Sequence, residues 1–149
     1  MTGLVDITEK PEVFRRAKAS GIIKLRASTI DAIKLGQVKK GDVLTTAKLA
    51  GILAVKDTPR LITMCHNIPI TDISVEFCLQ PDSITSMVIV SSVSKTGVEM
   101  EALAGVTAAL LNIWDMVKYL EKDDSGNYPA TKIDEIRVIK KEKRDMMKI

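Results

Sequence analysis

Between Gly97 and Glu121 the apolar residues Leu103, Val106, Leu110, Ile113, Trp114, Val117 and Leu120 recur at helical spacing, the pattern of one long helix with a single apolar stripe. A stripe of that length has to be covered by another layer of secondary structure. Two stretches supply the complementary period of two. From Arg16 to Arg26, Ala17, Ala19, Ile23 and Leu25 alternate with Arg16, Lys18, Ser20, Lys24 and Arg26. From Thr71 to Leu79, Ile73, Val75, Phe77 and Leu79 alternate with Asp72, Ser74, Glu76 and Cys78. Both read as half-buried strands.

The turn pair Pro81-Asp82 joins the second strand to a β-rich run from Ile84 to Val93, which reads as its hairpin partner. Ser28 or Thr29 can cap a short helix that buries Ile30, Ile33 and Leu35 and stops at Gly36. Asp42 can cap a helix to about Lys56, with Ala47, Gly51, Ala54 and Val55 at packing positions. Thr58-Pro59 then opens a further helical turn leading to Cys65-His66, because proline suits the first position of a helix. Residues Asp123 to Pro129 form a loop, and Ile133 to Ile139 a last strand before a charged end. Helices and antiparallel strands mixed in this way predict an α+β fold. No repeat or linker divides the 149 residues, so one domain spanning 1–149 is expected, with a basic tail over about 140–149.

No stretch reads as the roughly 18 apolar residues of a membrane span, and the first residues lack the layout of a signal peptide. The expectation is a soluble cytoplasmic protein. Cys65 and Cys78 are then free thiols. The net charge of +3 is mild but uneven, with Lys140, Lys141, Lys143, Arg144 and Lys148 crowding the end. Such an end could touch a polyanion, although a solvated, frayed terminus explains it as well. With Phe14 and Phe77 the only phenylalanines, no stacking platform for nucleic acid is visible.

Few residues offer chemistry. His66 is the sole histidine, in the connection Met64-Cys65-His66-Asn67-Ile68-Pro69, and is open to a structural or a functional reading. Adjacent Cys65 and His66 make an awkward metal pair and a poor nucleophile and base, so no metal site is expected. Glu99 and Glu101, on either side of Met100, begin the long helix, where carboxylates gain from the helix dipole; the preceding Lys95-Thr96-Gly97 turn could meet an anion. Asp115 and Lys118 share a helix face and suit either a surface ion pair or an acid–base couple. In the second case burial and neighbours such as Lys40 would lower the lysine pKa.

Four ordered segments together resemble one family. They are Leu4-Val5-Asp6; Lys40-Gly41-Asp42-Val43-Leu44 with Ala50-Gly51-Ile52; Met64-Cys65-His66; and Lys95-Thr96-Gly97-Val98-Glu99-Met100-Glu101-Ala102-Leu103 with Trp114-Asp115-Met116-Val117-Lys118. The pattern, running from about Leu4 to Ile139, is similar to that of the cyclic pyranopterin monophosphate synthases of molybdenum cofactor biosynthesis. Asn67 stands where the family has proline, Trp114 where it has tyrosine, and the family's glycine- and lysine-rich end is missing.

The resemblance implies a ferredoxin-like fold, a homo-oligomer in the form of a hexamer (a trimer of dimers), and a lyase. Its small-molecule substrate would be 3′,8-cyclised dihydro-GTP, converted without redox chemistry to cyclic pyranopterin monophosphate and diphosphate. It implies that Asp115 and Lys118 form the acid–base core with Lys40 beside them. Met64, Cys65, His66, Glu99, Met100 and Glu101 would contact substrate, with Arg15, Arg26 and Lys56 as further cations for the phosphates. No resident cofactor is implied, and a divalent ion could accompany the triphosphate. Two other readings of the same residues are a silent nucleotide- or RNA-binding module and a structural oligomer whose small-residue helices pack subunits.

Overall fold

A computed structural model describes residues 3–146; Met1, Thr2 and the end 147–149, with Lys148 of the basic cluster, lie outside the described residues. The chain runs β1 (Val13–Lys24), α1 (Ala27–Lys34), α2 (Val43–Leu61), β2 (Ile70–Gln80), β3 (Ser83–Ser94), α3 (Glu99–Glu121) and β4 (Lys132–Arg144). The strands form one sheet in the order β2-β3-β1-β4, and each of its three pairings is antiparallel. This is the split βαβ arrangement of a ferredoxin-like α+β domain, with α2 and α3 on one face.

The alternation seen in the sequence sets which side of each strand meets the helices. Ala17, Ala19 and Ile23 of β1, Val75 of β2 and Ile84, Val88 and Val90 of β3 are buried together with Val106, Leu110, Ile113 and Val117 of α3. α3 is long and apolar enough to be taken for a membrane span, which corrects the expectation that no such run exists. Much of that surface is buried inside the fold, so its apolar character serves the core.

The helices approach each other and the sheet closely because glycine leaves room. A Cβ on Gly105 of α3 would lie 2.9 Å from the Val55 side chain and 3.1 Å from that of Val88, and one on Gly21 of β1 would meet Val106, Ile136 and Leu110 at 2.8–2.9 Å. Side chains at these points would push α3 off both α2 and the sheet.

Several boundaries differ from the sequence expectation. Arg26 rather than Ser28 or Thr29 caps α1, and Leu35 is exposed instead of buried. The Thr29 hydroxyl is buried and donates to Glu121. α2 does start at an Asp42 cap, whose carboxylate accepts from the Thr45 amide at 3.0 Å, but it runs past Thr58-Pro59 to Leu61 as one helix. Pro59 sits three positions from the end of the helix, where its missing donor costs one bond and the Thr58 hydroxyl still donates to the Ala54 carbonyl at 2.8 Å. β4 continues to Arg144, so residues 140–144 of the expected tail pair with β1.

Gly105→Ala should destabilise the domain by about 1–3 kcal/mol through overpacking, even though alanine is the better helix former. A melting temperature at or above that of the unaltered chain would show that the α2–α3 contact is looser than described.

Candidate active site

Two groups of polar side chains occur at opposite ends of α3. At the C-terminal end, the Lys40 ammonium donates to the Asp115 carboxylate at 3.0 Å and to its main-chain carbonyl at 3.1 Å. Lys118, one turn along the same helix, pairs with the other carboxylate oxygen at 3.0 Å. Lys40 is delivered by the turn between α1 and α2, which Tyr119 fixes to α3: the Lys39 amide donates to the Tyr119 hydroxyl at 2.8 Å, and the Lys39 ammonium lies over its ring. This anchor is not visible in the sequence, because Tyr119 and Lys39 are far apart in the chain.

Hydrogen bonds from Lys40 and then Lys118 hold the Asp115 carboxyl below the usual carboxylate range. Its hydrogen bond and charge in turn raise Lys118 above the usual lysine range. That reverses the lowered lysine pKa anticipated for an acid–base couple: in one chain the Lys118 side chain is 44% exposed, so burial does too little to favour a neutral amine. Alone, the cluster is a pair of fixed cations held apart by one carboxylate.

One turn further on, α3 is fastened by Glu121, whose fully buried carboxylate accepts from the Arg26 amide and from the hydroxyls of Thr29 and Thr131. The Arg26 guanidinium donates to the Glu121 carbonyl at 3.3 Å. Arg26 thus closes the end of α3, beside the lysine cluster but not in it.

At the N-terminal end, Met64, Cys65 and His66 from the α2–β2 connection face Gly97, Glu99 and Met100 across a cavity of about 750 Å³. The connection is pinned to the sheet by the Ser92 hydroxyl, which donates to the Pro69 carbonyl at 2.7 Å, so the chain after His66 is held although Asn67 replaces proline. Behind the cavity wall lies Glu101, 1% exposed, with one oxygen accepting from the Cys65 thiol at 3.6 Å and the other without a hydrogen-bond partner among the described residues. Burial and then the Glu99 charge push the Glu101 carboxyl above its ordinary range. Burial and Glu101 together push the Cys65 thiol up to about 11, which leaves it neutral and a poor nucleophile or metal ligand at pH 7.

Glu99 behaves differently. Burial pushes it up, but Lys141 at 2.9 Å, with its own backbone and Arg15, outweighs that and lowers it overall. The sequence places Lys141 in the basic end, open to solvent or a polyanion; two register shifts in the β1–β4 pairing break the simple alternation that would have pointed it at the helices. Arg15 is buried in the same region, its guanidinium donating to the carbonyls of Ser94 and Lys95 at 3.2 Å, where it supports the turn into α3. Lys56 is exposed on α2 and joins neither group. Among the described residues no three His, Cys, Asp or Glu side chains gather as a metal would require.

Fourteen residues separate Glu101 from Asp115 on α3, about 21 Å at 1.5 Å per residue, so one chain does not close the two groups into one site. Fold and side chains together describe a ferredoxin-like enzyme for a small molecule, with cations at one end and an apolar, carboxylate-backed cavity at the other. The MoaC family profile matches residues 4–144. Proteins called probable cyclic pyranopterin monophosphate synthase are similar over nearly the full length. That of Methanospirillum hungatei is 55% identical over 143 residues, covering 96% of this chain and 92% of the relative. That of Methanococcoides burtonii is 58% identical over 140 residues, covering 94% and 88%. That of Aeropyrum pernix is 55% identical over 141 residues, covering 95% and 97%. The chain belongs to the MoaC family.

Two measurements test the cavity's electrostatics. Cys78 is exposed, so iodoacetamide at pH 7.5 should label it well before Cys65; equal rates would contradict the raised thiol. Because the folded Glu101 pKa is raised, the folded state holds that proton more tightly, and stability falls as pH rises from about 4.5 through the folded value. Glu101→Gln should remove that loss and raise the melting temperature at pH 7 relative to pH 4, whereas an unchanged pH profile would show the carboxyl to be ordinary.

Proposed function

We infer that this chain is a lyase that converts (8S)-3′,8-cyclo-7,8-dihydroguanosine 5′-triphosphate to cyclic pyranopterin monophosphate with release of diphosphate, an early step of molybdenum cofactor biosynthesis. Family membership and the names of near-full-length relatives support the activity. The observation that carries the site assignment is the convergence of Lys40 and Lys118 on Asp115 at 3.0 Å each.

Closing the phosphate ring expels diphosphate, and the charge that builds on the leaving group needs cations fixed in advance. Lys40 and Lys118 meet that need, and Arg26 lies beside them at the end of α3. Opening the guanine-derived imidazole ring and reclosing it as a pterin needs protons moved in both directions. With its pKa raised, Lys118 holds its proton too tightly to give it readily; to move protons in both directions it must be drier than it is in a single chain. The apolar cavity and Glu101 suit the flat ring system, since a carboxyl can pair with ring N–H groups. A divalent ion would enter with the triphosphate as part of the substrate.

Separation of the two groups along α3 favours a working oligomer in which the lysine cluster of one copy faces the cavity of another. That contact would also bury Lys118 and bring its pKa down. Leu49 and Leu53, one turn apart on α2, and Leu111 of α3 are 55–59% exposed, as an interface would leave them in a lone chain. A hexamer, arranged as a trimer of dimers, is the assembly we propose, in the cytoplasm where a nucleotide-derived substrate is made.

Asp115→Ala and Lys118→Ala should each lower diphosphate release from the cyclised dihydro-GTP by about 10²–10⁴-fold with the fold intact, the usual loss on removing a positioned acid or base. Near-normal turnover in both would remove these residues from the mechanism. Light scattering should give a mass near six times the 16.3 kDa chain; a stable, active monomer would contradict the shared site.

A further inference from the structure

The segment Leu4-Val5-Asp6, singled out in the sequence, has no place in the chemistry described so far. It precedes β1 and pairs with no strand. Its internal shape comes from Asp6, whose carboxylate accepts from the Thr8 amide at 2.9 Å and the Thr8 hydroxyl at 2.7 Å, and from the Lys10 amide, which donates to the Ile7 carbonyl at 3.0 Å. This local turn shapes residues 4–10 into a short strap.

Among the described residues two side chains tie the strap to the domain by hydrogen bonds: His66, which lines the cavity, and Lys95, which lies beside the strap. His66 Nε2 donates to the Val5 carbonyl at 2.7 Å, and the Lys95 ammonium donates to the Thr8 carbonyl at 2.9 Å. A carbonyl oxygen can only accept, so this contact fixes the proton on Nε2. Val5, Ile7 and Lys10 themselves line the cavity that Met64, Cys65, His66 and Met100 face. Yet the strap is poorly buried, with Val5 74% and Leu4 55% exposed. Its hold on the domain is polar and local, with little apolar burial behind it, as expected of a segment that opens at small cost.

We propose that residues 4–10 are a strap that competes with substrate for the cavity, the Val5 carbonyl occupying the one histidine donor until a ligand's acceptor oxygen replaces it. A phosphate or ring carbonyl oxygen makes the same bond to Nε2, so exchange leaves that donor paired at either stage. Lys95, which shares a second, shallower pocket with His66 and the strap, is released from Thr8 at the same moment. The strap thus keeps the site's polar groups satisfied when empty and yields two donors when filled. This rests on the reading of the cavity as part of the substrate site, but its first test does not.

His66 is the sole histidine, so its acylation by diethyl pyrocarbonate can be followed without interference. Three proteins are compared: the full chain, a chain lacking residues 1–7, and the full-length Lys95→Met variant, which loosens the strap without removing any chain. Acylation needs an unprotonated ring nitrogen; with Val5 holding the proton on Nε2 only Nδ1 can react. The shortened chain, whose ring is free to present either nitrogen, should therefore be acylated ~threefold faster or more, the order of one hydrogen bond of ordinary net strength, and Lys95→Met by a smaller factor. Equal rates in all three would overturn the proposal. Turnover of the cyclised dihydro-GTP by the same proteins then separates the two claims. Competition predicts a KM lowered severalfold in the shortened chain; a raised KM would make the strap part of the binding site and overturn competition. If no protein turns the compound over, the functional reading fails, while the acylation rates still judge the strap.

Discussion

The rigid seat of α3 on the sheet is the constraint on which the other features depend. Gly105 lets α3 press against Val55 and Val88, and Gly21 lets β1 pass directly beneath Val106 and Leu110. At its far end the buried Glu121 carboxylate ties α3 to α1 and to the approach to β4 through Arg26, Thr29 and Thr131. A helix held so closely at both ends becomes a fixed spacer, and the polar groups at its two ends keep a constant separation.

That spacing gives each end its own electrostatic character. The Lys40–Asp115–Lys118 group lies in solvent, where the two lysines favour the charged carboxylate of Asp115 and Asp115 favours the charged form of Lys118. The group at the other end lies against the core, where burial keeps Glu101 and Cys65 toward their neutral forms. Charged phosphates suit the first environment and a flat heterocycle the second. In the proposed assembly, a neighbouring copy bridges the distance that α3 imposes within one chain.

Much of this fold was legible because its elements obey simple periods. The alternation of β1 and β2 and the stripe of α3 identify three elements and their buried sides, and Asp42 marks the start of α2 to the residue. What escaped was set by tertiary context. Pro59 reads as a helix start but is tolerated near a helix end, and β4 loses its alternation where the register slips twice and Glu135 takes a positive φ of 58°. Of the site, the family-like motifs drew attention to Asp115, Lys118, His66 and Glu101 but could not say that they form two groups at opposite ends of one helix. Nor could they show that Lys141 reaches Glu99 or that the Val5 carbonyl meets His66, since both contacts join segments far apart in sequence.

Whether the two ends of α3 work together across copies can be decided by mixing two defective chains. Asp115→Ala spoils the lysine cluster and His66→Ala the cavity, and each alone should retain less than about one-hundredth of the diphosphate release of the unaltered chain. Co-assembled, they leave some interfaces with one intact cluster facing one intact cavity. A shared site predicts that the mixture regains a substantial part of the lost rate. A mixture as inactive as its components would place the whole reaction within a single chain and contradict the account.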